Sequence, residues 1–131
     1  HHTSYTHIKN LIEKSQLTQT VKNRSVQIFK KIALAEAEIH GTTISKLHFH
    51  EVGAIDSIVD IVGGVVALEL LDADVIYASP LNTGEGSVVC EHGVLPVPAP
   101  ATLKLLKGIP CYSLGIQKSK TRFTSIFYLR F

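Results

Sequence analysis

The stretch His48-Phe49-His50-Glu51-Val52-Gly53-Ala54-Ile55-Asp56-Ser57-Ile58-Val59-Asp60-Ile61-Val62-Gly63 joins two different hydrophobic periods. From Ile44 to Glu51 the residues alternate, with Ile44, Lys46, His48 and His50 on one side and Ser45, Leu47, Phe49 and Glu51 on the other. A period of two predicts extended backbone. From Ala54 to Leu71 the chain is apolar almost without interruption, broken by Asp56, Asp60 and Glu69. This run predicts a helix that is apolar nearly all round and therefore buried. An extended segment passing into a helix points to the α/β class.

On the N-terminal side, Ser4 predicts a cap for a short helix in which Ile8, Leu11 and Ile12 share one face. Leu17 and Thr18 open a second helix, with Val21, Ile28, Phe29, Ile32, Ala33 and Ile39 at helical spacing and Gly41 as its stop. Beyond the third helix, residues 73–79 predict a buried strand, residues 80–86 a loop and residues 87–90 a second strand. Pro96, Pro98 and Pro100 exclude a helix interior, although Pro100 suits a first helical turn leading into Leu103, Leu105 and Leu106. Gly108 ends that helix before residues 109–112 become extended. The expected fold is a single α/β domain, with helices alternating with a small, mostly parallel or mixed sheet.

With 131 residues, 45% of them hydrophobic and 18% charged, the chain has enough apolar material for a core and is not disordered by composition. Its formal charge of +2 owes much to Lys118, Lys120, Arg122 and Arg130, so nucleic acid is not an expected partner. The uncharged run from Ile61 to Leu68 is far too short for a membrane span. Two cysteines, Cys90 and Cys111, make no disulfide framework, and a reducing cytoplasmic setting is expected. The absence of methionine marks a processed chain or part of a longer one.

Ligand-type side chains are densest at His48, His50 and Glu51, with Asp56 and Asp60 close behind. On extended backbone, His48 and His50 point the same way and present two imidazoles to one metal ion, unless they simply line a solvated strand face. Asp56 and Asp60 are one helical turn apart, and two like charges so placed call for a positive partner. The alternative is that Asp56 favours the helix N-terminus and Asp60 pairs with a lysine. Gly63 and Ala67 continue that face with small residues. Cys90 and His92 are secondary ligand candidates, although a cysteine on a short strand is commonly just buried. Gly84-Glu85-Gly86 lacks the third glycine and the strand-loop-helix order of a dinucleotide fingerprint, leaving a turn with at most a weak cofactor contact at Gly84 and Gly86. His40 fits a favourable contact at a helix C-terminus. No GxSxG, P-loop or HExxH pattern occurs, and no residue is assigned as catalytic.

The first stretch, together with Cys90-Glu91-His92-Gly93-Val94-Leu95-Pro96-Val97-Pro98-Ala99-Pro100-Ala101-Thr102 and Ala35-Glu36-Ala37-Glu38-Ile39-His40-Gly41, closely resembles the LarC family of nickel insertion proteins. The likeness reaches to about Pro110. It implies a CTP-dependent cyclometallase of the lyase class that places nickel into pyridinium-3,5-bisthiocarboxylic acid mononucleotide, making the nickel-pincer cofactor of lactate racemase through nickel–carbon and nickel–sulfur bonds. Nickel and the precursor nucleotide would be its partners, in a homo-oligomer, with CTP and a further divalent metal bound outside this chain. Residues 1–116 would be the N-terminal metal-handling region without its first strand. Residues 117–131 would be a divergent basic tail, read out of frame or ended early. His48, His50, Glu51, Asp56 and Asp60 are the expected nickel site; His1 and His2 read either as remnants of a purification tag or as native residues, and as extra ligands only in the second case. The rival expectations are a nickel-binding module without catalysis, a remnant that only oligomerises, and an HxH barrel hydrolase. The last needs about 250 residues and does not fit this length.

Overall fold

A computed structural model describes residues 3–49, 52, 54–90 and 93–115, with Cys90 described through its backbone. The class is α/β, as the alternation of patterns predicts, and the described residues fall into two compact units, one ending at Ile76 and the other starting at Tyr77.

The first unit opens with β1 (Thr3–Ser4), followed by α1 (Tyr5–Lys14) and α2 (Gln19–Ile39). Both helices start where their caps predict. The Ser4 hydroxyl accepts the His7 amide at 3.2 Å, and the Thr18 hydroxyl accepts the Val21 amide at 3.2 Å, each satisfying a donor that the first helical turn leaves open. At the far end of α2, His40 is the cap and Gly41 turns left-handed at φ +60°. The Gly41 amide then donates to Glu38 O and the Thr42 amide to Ala37 O, the paired bonds of a Schellman stop.

A single turn of 3-10 helix (Ile44–Lys46) and the two-residue β2 (His48–Phe49) lead to α3 (Ile55–Leu70). The expected alternation from Ile44 to Glu51 is thus corrected. Thr43 O accepts the Lys46 amide and Ile44 O that of Leu47, so local turn bonds claim Ile44, Ser45 and Lys46, and the described ladder extends only over His48 and Phe49. β2 pairs antiparallel with β1, Thr3 opposite Phe49 and Ser4 opposite His48.

α2 packs against both α1 and α3. Its buried residues Val21, Ser25, Ile28, Phe29, Ile32 and Ala33 recur at the three- and four-residue steps of one helical face. They meet a core that includes Ile8 and Ile12 of α1, Ile61 and Val65 of α3, and Leu47, Phe49 and Val52. Leu11 and Ile39, expected with this set, are exposed. α3 also departs from expectation, because only Ile61 and Val65 are buried. Its outer face, Ile55, Asp56, Val59, Asp60, Gly63, Ala67 and Leu70, is open. Hydropathy reports what a helix would tolerate as neighbours, not which neighbours it has.

The second unit contains β3 (Leu81–Asn82), β4 (Ser87–Cys90), β5 (Gly93–Pro96), α4 (Pro100–Leu106) and β6 (Cys111–Tyr112). β4 and β5 form an antiparallel hairpin, Ser87 opposite Pro96 and Cys90 opposite Gly93, and β3 pairs parallel with β6. Pro100 occupies the first turn of α4, and Gly108 at φ +80° follows its end. The buried strand expected at residues 73–79 does not form. Those residues lie outside any helix or strand and are exposed, because among the described residues no strand offers them a ladder. The ladder begins just past Pro80, inside the expected loop, where β6 supplies a partner. Among the described residues, the expected small sheet is therefore three separate pairs, two antiparallel and one parallel.

Candidate functional site

His48 sits on β2 between a buried Leu47 and a buried Phe49. Since neighbouring side chains on a strand point to opposite faces, the 2% exposed Phe49 anchors the strand to the core and turns the His48 imidazole outward. His50 and Glu51 lie outside the described residues, as do His92, the Cys90 side chain and both His1 and His2. For those positions the ligand assignment remains an expectation from sequence.

Asp56 and Asp60 are placed on the outer face of α3, both exposed. Asp56 is the acid in the first turn, where its carboxylate favours the positive end of the helix, and its Oδ1 accepts the Ser57 amide at 2.9 Å. The helix cap itself, Ala54, has no side chain to offer. Because both aspartates face water, their mutual repulsion is of the order of a few tenths of a kcal/mol. The pair therefore makes no strong demand for a buried cation. Among the described residues, no three His, Cys, Asp or Glu side chains gather into a metal-binding group.

Gly84 and Gly86 both take positive φ, +74° and +100°. The Gly84 amide donates to Asn82 Oδ1 at 3.2 Å, and Gly86 O accepts the Val97 amide at 3.0 Å, extending the β4–β5 hairpin. Turn geometry thus accounts for both glycines, and the Gly84 amide is engaged within the loop. Sequence reading missed a second polar contact of this loop. The Ser113 hydroxyl donates to Glu85 Oε2 at 3.3 Å and accepts the Gly115 amide at 3.3 Å, tying the stretch after β6 to the glycine turn. No spacing rule links positions 85 and 113. His40 caps α2 as expected, and its Nε2 lies 3.4 Å from Glu36 Oε2, one turn back.

What this arrangement offers chemically is an outward imidazole at the start of the HFHE stretch and two solvent-facing carboxylates on the next helix. Imidazole and carboxylate are donors suited to a borderline divalent ion such as nickel. Among the described residues no helix is long and apolar enough to cross a membrane.

Comparison with known proteins agrees with the resemblance read from the motifs. The family described as nickel insertion protein matches residues 1–125, which takes in part of the segment after 116. The pyridinium-3,5-bisthiocarboxylic acid mononucleotide nickel insertion protein of Geobacillus kaustophilus (strain HTA426) is 53% identical over 112 residues, 86% of this chain and 27% of that protein. The protein of the same name from Staphylococcus saprophyticus is 47% identical over 130 residues, covering 99% of this chain and 33% of the relative. That of Clostridium kluyveri is 53% identical over 114 residues, 87% and 28% respectively. The chain spans about a third or less of the length of these relatives. No solved structure matches it.

Proposed function

This chain belongs to the nickel insertion protein family, and from that membership we propose that it is the nickel-handling part of an enzyme that inserts nickel into pyridinium-3,5-bisthiocarboxylic acid mononucleotide. The observation that carries the reading is the family match over residues 1–125, which contains the whole HFHE stretch and α3.

In this proposal His48 and His50 receive the nickel ion as imidazole ligands. Glu51, Asp56 and Asp60 orient those rings or offset the charge of the ion, and Cys90 and His92 are further donors. Nickel is cargo, captured and then delivered to the precursor nucleotide with formation of nickel–carbon and nickel–sulfur bonds. CTP and a second divalent metal act at a site outside this chain. The setting is the cytoplasm and the working form a homo-oligomer. The exposed imidazole of His48 suits a site that must release its metal, since a closed cage would retain it.

Because the chain spans so little of its relatives' length, a second reading is a nickel-binding module that does not complete the reaction. Nickel titration of the parent chain and of His48→Ala/His50→Ala tests capture, and the double variant is expected to lose most of the affinity. Equal affinity in the two would remove the ligand assignment. Adding CTP and the precursor nucleotide, and following the metallated product by mass spectrometry, separates the enzyme from the module.

A further inference from the structure

Ser4 brings together two histidines that are far apart in the chain. It is the direct cross-strand partner of His48, and its hydroxyl accepts the amide of His7 at 3.2 Å. Cross-strand partners lie about 4.5–5.5 Å apart, and residues three apart on a helix about 5–6 Å. The backbones of His7 and His48 are therefore separated by roughly 11.5 Å at most.

Direction favours closure of that gap. Paired residues of an antiparallel ladder stand on the same face, so His48 rises on the side that carries Ser4, while Phe49 turns inward. A helical side chain is tilted toward the N-terminus of its helix, so His7, in the first turn of α1, leans back over Ser4. Both histidines are exposed. An imidazole carries its far nitrogen about 4–5 Å from Cα, and a metal–nitrogen bond adds about 2 Å, so two such arms meeting at one ion span the separation.

We propose that His7 and His48, held side by side through Ser4, form a two-imidazole site for nickel at the head of α1. The proposal rests on the nickel-handling reading and extends it to a residue outside the HFHE stretch. It makes the β1–α1 junction part of the metal site, with Ser4 as the residue that positions both ligands.

The test is titration of the 131-residue chain with nickel(II) chloride by calorimetry, for the parent, His7→Ala, His48→Ala and the double variant. Outer-shell contacts alone are worth 10–100-fold in metal affinity, so loss of a ligand is expected to weaken binding by at least about tenfold. The double variant should lose less than the product of the two single losses, since either change already breaks the pair. The cap bond uses the backbone amide of His7, so His7→Ala leaves it in place, and an unchanged far-ultraviolet circular dichroism spectrum checks this. If that variant fails to fold, His7→Gln takes its place. Paramagnetic broadening by nickel should erase the ring resonances of His7 and His48 together. A His7→Ala chain that binds nickel as tightly as the parent overturns the pair, and the nickel-handling reading then stands on the HFHE stretch alone. A parent that binds no nickel overturns both.

Discussion

The hydroxyl of Thr18 lies 2.8 and 2.9 Å from the two carboxylate oxygens of Glu69, while it also accepts the Val21 amide. One side chain thereby caps the start of α2 and ties it to the last turn of α3, where a carboxylate otherwise sits against the negative end of its own helix. Thr18→Ala removes both contacts and is expected to lower the unfolding free energy by about 1–2 kcal/mol. Thr18→Ser keeps the oxygen and should recover most of that. Urea denaturation of the three chains measures the difference, and equal midpoints for all three would remove the role of this oxygen.

Gly41 is a purely conformational requirement. A Cβ built there meets nothing within 4 Å, yet the residue holds φ +60°. Gly41→Ala should cost about 1–2 kcal/mol from the left-handed backbone alone. Gly41→Asn should cost less, because asparagine tolerates this region better. Thermal unfolding that ranks glycine above asparagine above alanine bears this out, whereas alanine equal to glycine contradicts it.

Ser25 is fully buried on the core face of α2, and among the described residues its hydroxyl has no hydrogen-bond partner. A buried hydroxyl left unpaired costs about 1–3 kcal/mol of desolvation, and Ser25→Ala removes that cost while improving helix propensity. The variant should be at least as stable as the parent. A marked loss would mean that an ordered water satisfies this oxygen in solution.

Gly63 lies on the open face of α3, where an added Cβ meets nothing. Gly63→Ala should raise stability by about 0.5–1 kcal/mol, the ordinary gain of alanine over glycine inside an exposed helix. A decrease in melting temperature would show that another surface closes over this face in solution.

The parts of the fold that the sequence made legible are those decided within one turn of chain. Ser4, Thr18, Gly41 and Pro100 each act on backbone groups three to five residues away or on their own φ, so residue type suffices to place them. Strands depend on a partner elsewhere. Val75 and Ile76 have the composition of a strand and no ladder among the described residues, whereas Leu81 and Asn82 pair because Cys111 and Tyr112 come alongside. Gly93–Pro96 escaped notice because its short run ends on a proline and faces mostly solvent. The open outer face of α3 has a related cause, since among the described residues the principal packing partner of this helix is α2.

At the candidate site the legible part was the stretch itself. Alternation placed His48 opposite Phe49, and the burial of Phe49 fixes which side the imidazole takes. The carboxylates stand where the helical period puts them, but on a wet surface, which alters their energetics and leaves their geometry unchanged. His7 carried no signal in sequence, because its relation to His48 passes through a strand register that spacing cannot predict.

The unpaired stretch at residues 73–80 also has a practical meaning. It joins the two compact units, and at the join Tyr77 is 91% exposed beside Val75 and Ile76. Enzymes that cut beside aromatic residues need several residues of extended, accessible backbone, and exposed connections of this kind are preferred sites of nicking. Brief chymotrypsin treatment thus becomes a way to cut the molecule at its own seam. The piece through Tyr77 would carry Ser4, His7 and His48 on one polypeptide, with the three-helix core still attached.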